Sequence, residues 1–278
     1  MAHLLVVDDD SSLREVIRGL LEVAGFSVAT AANGRAALER LEQEKFDLVV
    51  MDVWMPEMTG LEVLAQLRSR ADSPKVILLT ADDTPETVLR AVREQAYRFL
   101  AKPFAPEVLV EVVQSALAAP SAAATIEVLS ARPNWVELEV PCRIDVVDRL
   151  QGFLERLKTD LPDEVRNKVG QAFRELLLNA IEWGGQLDPN RKVRIAYLRA
   201  RRMLLYRIAD PGKGFRFEEL EHAAVGHGPD KVVEHMRVRE EKGIRPGGFG
   251  LLLAQVLVDE LIYNETQNEV VFIKYLDT

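Results

Sequence analysis

Short apolar runs alternate with amphipathic stretches along the first 120 residues. The runs are nearly continuous in apolar residues, as expected for strands buried on both faces of a parallel sheet. They cover Leu4 to Val7, Phe26 to Thr30, Phe46 to Met51, Val76 to Leu79 and Tyr97 to Ala101. The segments after them carry apolar residues at helical spacing. Five strands alternating with five helices predict a parallel sheet covered by helices on both faces.

Capping residues and prolines indicate where the helices begin. Ser11 or Ser12 is expected to cap the first helix, and Asn33 is expected to open the second. Thr84 followed by Pro85 is typical of a helix start, with a capping residue and then proline at the first helical position.

The pattern changes after residue 125, where polar and apolar residues alternate as in half-buried strands. The strands predicted here are Trp135 to Val140, Lys192 to Ala200, Met203 to Ala209 and Val270 to Tyr275. The helices predicted here are Ile144 to Leu157, a second from Pro162 through Ile181, and Leu251 to Leu261. A small, uncharged stretch with a proline separates the two patterns. It predicts domains at 1–119 and 125–278 joined by a linker at 120–124.

Composition excludes several classes of protein. The 278 residues are 48% hydrophobic and 28% charged, which is typical of ordered domains. A net charge of −9 argues against a general nucleic-acid or membrane-surface binder. The lone Cys142 cannot form an intramolecular disulfide. The first residues lack the features of a signal peptide, so we expect a cytoplasmic protein that binds neither DNA nor membrane.

The strand ends of the first half carry matching chemistry. Asp8 and Asp9, Asp52, Thr80 and Lys102 each directly follow a predicted strand, so they should meet at one edge of the sheet. Clustered carboxylates repel one another unless a hard cation such as Mg²⁺ offsets their charge. A carboxylate at such a site can attack phosphorus and form an aspartyl phosphate. Lysine and threonine would then contact the phosphoryl oxygens.

Four motifs together resemble a response-regulator receiver domain over residues 1 to about 119. They are Leu-Leu-Val-Val-Asp-Asp, the Asp-x-x-Met-Pro-x-Met-x-Gly run from Asp52, Leu-Thr-Ala at 79–81 and Lys-Pro-Phe at 102–104. The resemblance implies a flavodoxin-like fold with Asp52 as phosphoacceptor. The Mg²⁺ ligands that it implies are Asp8 (mainly through water), Asp9, Asp52 and the carbonyl of Trp54. The switch residues that it implies are Thr80, Phe99 and Lys102.

Two glycine-rich turns and one helix carry the chemistry of the second half. Glu175 and Asn179 lie one helical turn apart in an otherwise apolar helix. Asp210-Pro-Gly-Lys-Gly supplies a carboxylate and two glycines that let the backbone approach a ligand. Gly-Gly-Phe-Gly at 247–250 opens a helix, and a helix N-terminus favours anions.

In this order, the motifs resemble the ATP-binding domain shared by histidine kinases, gyrase-type ATPases and anti-sigma-factor serine kinases. Of these three groups, the sequence resembles the anti-sigma-factor serine kinases most closely. The resemblance implies an α/β sandwich of the Bergerat type that binds Mg²⁺ and ATP, with residues 216–246 as the nucleotide lid. It implies Asn179 as a Mg²⁺ ligand, Glu175 as catalytic base and Asp210 as acceptor of the adenine amino group. The glycines implied around the nucleotide are Gly212, Gly214, Gly248 and Gly250.

These features favour a two-component response regulator. Phosphorylation of Asp52 would gate a serine/threonine-kinase or anti-sigma-like output domain. The expected partners are an upstream sensor histidine kinase and an anti-sigma-factor antagonist or sigma factor, and a homodimer is left open. Trp183 stands where the family often has a small or polar residue. It favours the alternative of a non-catalytic nucleotide-binding module that sequesters a partner. An orthodox histidine kinase fits less well, because no histidine lies on a dimerisation helix ahead of the ATP-binding motifs.

Overall fold

The computed structural model describes residues 1–68, 70, 73–82, 84–120, 125–132, 134–157, 161–215 and 249–276. The chain divides into two compact units. One comprises Met1–Thr125 with Gly152–Leu157, and the other comprises Ile126–Gln151 with Lys158–Thr278. Most of the predicted linker, residues 121–124, lies outside the described residues. No helix in the described ranges is long and apolar enough to cross a membrane.

The first unit contains the predicted parallel sheet. Its strands are β1 (His3–Val7), β2 (Ser27–Ala31), β3 (Leu48–Asp52), β4 (Lys75–Thr80) and β5 (Arg98–Ala101). Their order is β2-β1-β3-β4-β5, and every neighbouring pair is parallel. All four residues of Leu4 to Val7 are fully buried, which explains why no polar residue interrupts the run.

Five helices cover this sheet. They are α1 (Ser11–Val23), α2 (Gly34–Gln43), α3 (Gly60–Leu67), α4 (Pro85–Arg93) and α5 (Pro106–Ala118). Asn33 caps α2 as predicted, accepting a hydrogen bond from the Ala36 N–H. The prediction that Ser11 or Ser12 caps α1 is wrong. Asp10 is the cap, because its carboxylate accepts hydrogen bonds from the backbone N–H groups of Ser12 and Leu13.

The second unit is built on a six-stranded antiparallel sheet. Its strands are β6 (Glu127–Arg132), β7 (Trp135–Pro141), β8 (Lys192–Ala200), β9 (Met203–Ala209), β10 (Glu260–Tyr263) and β11 (Glu269–Tyr275). The strand order is β10-β11-β9-β8-β7-β6. Strands β6 and β10 form the two edges, and neither was predicted from the sequence.

The remaining helices are α6 (Asp145–Arg156), α7 (Asp163–Asn179) and α8 (Gly250–Leu257). All three belong to this unit except for the last five residues of α6, which fall in the first unit. A π-helical turn, Ala180–Gly184, continues α7. The helix that was predicted from Leu251 to Leu261 ends at Leu257, four residues before the predicted end. Val258 is extended, and the chain then pairs with β11 as strand β10.

An aromatic cluster joins α7 to the sheet. Phe173 of α7 lies 5.4 Å from the ring of Tyr206 on β9, which also contacts Tyr197 at 5.1 Å and stacks on Phe272 at 4.8 Å. All four rings are almost completely buried. Because buried aromatic side chains remove large apolar areas from water, this cluster fixes the position of α7 over the central strands.

Candidate functional site

The carboxyl ends of the parallel strands bring the predicted receiver residues together. Asp8 directly follows β1, Asp52 ends β3 and Thr80 ends β4. Their exposed fractions are 1%, 5% and 0%, so all three are buried. Lys102 directly follows β5. A parallel sheet has all its carboxyl ends at one edge, which explains how residues separated by up to 94 positions become neighbours.

Lys102 bridges the two buried carboxylates. Its Nζ lies 2.6 Å from Oδ1 of Asp52 and 2.8 Å from Oδ2 of Asp8. The other oxygen of Asp52 accepts a hydrogen bond from the Trp54 N–H at 3.0 Å. The other oxygen of Asp8 accepts from the Asp10 N–H at 2.9 Å. Both carboxylates are therefore held in fixed orientations.

Burial and charge act in opposite directions on this cluster. Burial raises the pKa of Asp52, and the hydrogen bond and charge of Lys102 oppose that rise only in part. Burial lowers the pKa of Lys102, but its bonds to Asp52 and Asp8 outweigh burial and leave that pKa raised. The ammonium therefore stays charged at neutral pH. When both carboxylates are ionised, one buried negative charge remains uncompensated.

That excess negative charge suits a hard divalent cation with oxygen ligands such as Mg²⁺. Asp8, Asp52 and the carbonyl of Trp54 all lie at this edge, while Asp9 is exposed beside it. Within the described part of the chain, no three His, Cys, Asp or Glu residues are grouped closely enough to hold a metal ion. The donor set fits Mg²⁺ chemically, and the four-ligand assignment with Asp9 stays a prediction.

Thr80 and Phe99 lie on the neighbouring strands β4 and β5. The Thr80 hydroxyl accepts a hydrogen bond from the Asp82 N–H at 3.0 Å. Phe99 is 4% exposed and lies within β5. The pKa of Asp82 is lowered, chiefly by the hydrogen bond from the Thr84 N–H and also by the side chains of Thr87 and Trp54. Asp82 is thus engaged in the loop that follows β4.

In the second unit, Asp210 directly follows β9 and packs against two glycines. Its Oδ1 accepts a hydrogen bond from the Gly212 N–H at 2.7 Å. A Cβ at Gly184 would overlap the Asp210 carboxylate, and a Cβ at Gly212 would lie 2.6 Å from Oδ1. Burial raises the pKa of Asp210, opposed by the Gly212 N–H and by Arg191. Among the described residues, no donor is assigned to its other oxygen, Oδ2.

The helix α7 contacts the start of α8. A Cβ added at Gly250, the first residue of α8, would overlap Oε2 of Glu175. Asn179 is the last residue of α7, and the π-helical turn begins directly after it. The continuous segment formed by α7 and the π-helical turn therefore contacts both glycine-rich turns. Glu175 contacts the turn that ends at Gly250, and Gly184 contacts the turn that begins at Asp210. Gly248 and the predicted lid, residues 216–246, lie outside the described residues.

Gly214 occupies a position that only glycine tolerates. Its φ is +79°, and a Cβ there would overlap the carbonyl oxygen of Thr266. The turn after Asp210 is thus pressed against the loop between β10 and β11.

Sequence reasoning missed both the role of Gly184 and this loop. The Trp-Gly-Gly run at 183–185, where the π-helical turn ends, was a signal for Gly184. Nothing in the local pattern pointed from the loop to a turn more than 50 residues earlier.

Comparison with known families supports both halves. Residues 4–114 match the response regulator receiver domain, and residues 140–274 match the histidine kinase-like ATPase domain.

Curated relatives cover the first half of the chain. The chain is 40% identical over 139 residues to response regulator MprA of Mycolicibacterium vanbaalenii, covering 47% of this chain and 60% of the relative. It is 37% identical over 117 residues to chemotaxis protein CheY of Listeria monocytogenes, covering 42% of this chain and 98% of that protein. The chain therefore spans less than two thirds of the MprA sequence but nearly all of CheY.

A solved structure of chemotaxis response regulator CheY4 of Vibrio cholerae is 36% identical, with a TM-score of 0.40, and covers 42% of this chain and 98% of that chain. The match over 98% of the Listeria CheY sequence, the receiver-domain match and the geometry around Asp52 all indicate a receiver domain. The chain belongs to the response regulator receiver family, and a histidine kinase-like ATPase domain follows its receiver domain.

Proposed function

We propose that phosphorylation of Asp52 controls the ATP-binding output domain of the same chain, which acts as a serine/threonine protein kinase of the anti-sigma-factor type. The observation that carries this proposal is the pairing, in one chain, of a receiver domain with a histidine kinase-like ATPase domain, each with a candidate phosphate-handling site. One is built around Asp52 and Lys102, and the other around Asn179 and Asp210.

The receiver half supports the phosphorylation step. A carboxylate oxygen of Asp52 attacks the phosphorus of a donor, an acyl phosphate forms, and the donor's leaving group departs with the bonding electrons. Lys102, already 2.6 Å from Asp52, places a cation beside the incoming phosphoryl oxygens. Mg²⁺ would offset their negative charge when bound. The upstream sensor histidine kinase is the proposed donor.

The ATPase-like half supports nucleotide binding. Asp210 presents Oδ2 to the adenine amino group, and Gly212 and Gly214 shape the base pocket. Asn179 would supply a ligand to Mg²⁺ when the nucleotide is bound with that ion. Gly250, with Gly248, lets the phosphates approach the start of α8.

The substrate side of the reaction rests on Glu175 as general base. Glu175 lies beside the start of α8. There it can accept the proton from a substrate serine or threonine hydroxyl as the hydroxyl oxygen attacks the γ-phosphorus. The bond from the γ-phosphorus to the β–γ bridging oxygen breaks, and ADP leaves with the bonding electrons. The proposed partner is an anti-sigma-factor antagonist, or a sigma factor that the output domain holds.

One observation favours a second candidate, a nucleotide-binding module without catalysis. Trp183 lies in the π-helical turn, directly before the glycine that packs on Asp210, Gly184. The side chain of Trp183 is partly open to solvent, since 41% of the residue is exposed. A large exposed indole at this position can serve as a contact for a protein partner. In this case, ATP binding would shape the surface for sequestration and no phosphate would be transferred.

The test compares three forms of the full chain: phosphorylated at Asp52, unphosphorylated, and Asp52→Ala. ATP turnover and phosphorylation of a candidate antagonist protein are measured in each. We expect the phosphorylated form to differ from the other two, and the Asp52→Ala form to match the unphosphorylated chain. Equal activity in all three forms would refute the control by Asp52.

Labelled ATP separates the two candidate outputs. Transfer of the γ-phosphate to serine or threonine of the antagonist supports the kinase, and Glu175→Gln should abolish it while ATP still binds. Tight ATP binding without transfer to any candidate antagonist would establish the sequestering module instead.

A further inference from the structure

The loop between β10 and β11 makes three separate contacts with the turn that follows Asp210. The backbone N–H of Asp210 donates to the carbonyl of Asn268 at 2.9 Å. The side-chain amide of Asn268 donates to the carbonyl of Gly212 at 3.1 Å. Gly214 packs directly against the carbonyl of Thr266. The loop thus follows the turn over five consecutive residues.

A ring contact extends this match to the end of the turn. Phe215 lies edge-on to Tyr263 of β10, with ring centroids 5.6 Å apart and planes at 78°. Such an edge-to-face arrangement is favourable. The segment from Asp210 to Phe215 is therefore held at both ends and in its middle by the β10–β11 hairpin.

Two neighbouring side chains orient the amide of Asn268. Its Oδ1 accepts hydrogen bonds from the amide of Asn264 at 2.8 Å and from the hydroxyl of Thr266 at 2.7 Å. Because two donors point at the oxygen, the NH₂ group must face the other way, towards Gly212. Asn264 in turn accepts the backbone N–H of Asn268 at 3.1 Å, which closes the network.

This network acts on the carboxylate of Asp210 through Gly212. The Gly212 N–H donates to Oδ1 of Asp210, while the Gly212 carbonyl accepts from Asn268. The peptide groups on either side of Gly212 are thus held between the side chains of Asp210 and Asn268. If the Asn268 bond is lost, the Gly212 peptide groups keep their packing on Gly184 but lose one of their hydrogen bonds, so the donor that orients the Asp210 carboxylate is held less firmly.

We propose that Asn268, oriented by Asn264 and Thr266, is a positioning residue that aims the Asp210 carboxylate at the 6-amino group of a bound adenine base. This inference rests on the proposed function, because it requires that the ATPase-like domain binds ATP. In this proposal, the loop between β10 and β11 and the turn after Asp210 together determine the specificity for the base.

The test separates aiming at the base from general support of the fold. Affinities of the full chain are measured by calorimetry for ATP and for purine riboside triphosphate, which lacks the 6-amino group. The ratio of the two affinities reports the bond to the amino group, because the triphosphate and ribose are common to both ligands. A loss of stability alone lowers both affinities equally and leaves the ratio unchanged.

The decisive variant is Asn268→Asp. It keeps the size of the side chain and the oxygen that accepts from Asn264 and Thr266, but it cannot donate to Gly212. We expect the preference for ATP to fall about five- to tenfold, the usual effect of one lost hydrogen bond on binding. Asn264→Ala should reduce the preference in the same direction. Glu265→Ala, an exposed position in the same loop, is the matched control and should preserve it.

The outcomes distinguish the two proposals. A wild-type chain that binds neither triphosphate refutes the proposed ATP-binding function and this inference with it. A wild-type chain that prefers ATP, together with an Asn268→Asp variant that keeps the full preference, refutes only the positioning role. A reduced preference in Asn268→Asp and Asn264→Ala, with Glu265→Ala unchanged, supports it.

Discussion

At the residue scale, Gly60 closes the loop that follows Asp52. Its N–H donates to the carbonyl of Val53 at 2.9 Å, and a Cβ there would overlap the backbone carbonyl of Asp52. The loop therefore returns to the end of β3 with no room for a side chain. This close return fixes the backbone that carries Asp52, the proposed phosphoacceptor.

Gly60→Ala should lower the free energy of unfolding by about 1–3 kcal/mol, because the overlap is with backbone atoms that must move. Urea denaturation monitored by circular dichroism measures the change. The matched control is Gly19→Ala in α1, where a Cβ meets nothing within 4 Å. It should raise the free energy of unfolding by about 0.5–1 kcal/mol, since alanine favours a helix. Equal changes in both variants would contradict the steric explanation.

Cys142 should be an unreactive thiol in the folded protein. It is fully buried, and burial raises its pKa to about 11, opposed by the charge of Arg191. At pH 8 the thiolate fraction is then on the order of 10²-fold lower than in an unfolded chain, and the thiolate is the nucleophile. Alkylation by iodoacetamide should therefore be slower by at least that factor in the native protein than in urea. Similar rates in both conditions would show that the site is open.

At the element scale, periodicity predicted all five strands of the parallel sheet but neither edge strand of the antiparallel sheet. Leu4 to Val7 has no polar residue because both its faces are covered, so its pattern is unmistakable. Strand β6 has no such pattern, because most of its residues are at least partly exposed. The run Leu251 to Leu261 is apolar throughout, and an apolar run does not reveal where a helix gives way to strand β10.

The receiver site was more predictable than the ATPase-like site for a related reason. Asp52, Thr80 and Lys102 each directly follow a strand, so the topology of a parallel sheet suffices to bring them together. The network around Asn268 depends on the packing of a hairpin loop against a distant turn. Loop packing of this kind follows from tertiary contacts and leaves no periodic signal in the sequence.

An ion pair links β9 to β11. Arg207 donates two hydrogen bonds to Glu269, at 2.7 and 2.6 Å, and these bonds lower the pKa of Glu269 from its ordinary value of 4.5. A carboxyl group with a lowered pKa stabilises the fold above its unfolded pKa, and that contribution is lost as the pH falls through the lowered value. The pair therefore supports the sheet at neutral pH and not in acid.

Glu269→Gln should lower the free energy of unfolding at pH 7 by about 0.5–1 kcal/mol, a modest value because the pair is partly exposed. The difference from wild type should shrink below about pH 4.5, where the unfolded glutamate becomes protonated. Denaturation curves from pH 3 to pH 7 measure it. The exposed Glu265→Gln serves as the control, and a difference of equal size at every pH would contradict the role of the ion pair.

At the scale of the whole molecule, the two sites are separate in chemistry and in sheet. Asp52, the proposed phosphoacceptor, lies on a five-stranded parallel sheet, and Asp210 directly follows a strand of a six-stranded antiparallel sheet; among the described residues no strand belongs to both sheets. If phosphorylation and ATP binding influence each other, thermodynamics requires the influence to be equal in both directions.

Beryllofluoride, a non-covalent substitute for the phosphoryl group, allows both directions to be measured in the full chain. If it changes the affinity for ATP by a factor of about 5–150, the usual range for coupled sites, ATP must change the affinity for beryllofluoride by the same factor. Calorimetric titration of each ligand in the presence and absence of the other tests this expectation. Independent binding of the two would refute the proposed control of the output domain.

The π-helical turn at Ala180–Gly184 amounts to one residue inserted into the end of an α-helix. Each residue of an α-helix turns the chain by about 100°. Removing one residue here would restore α-helical geometry and rotate Gly184 and Gly185 away from the Asp210 and Cys142 side chains on which they pack. Positions 180–183 should therefore accept substitutions more readily than changes of length, whereas Gly184 should accept neither, because a Cβ there would overlap the Asp210 carboxylate. Single-residue deletions at 180–183 should disable the nucleotide site even where the helix itself survives.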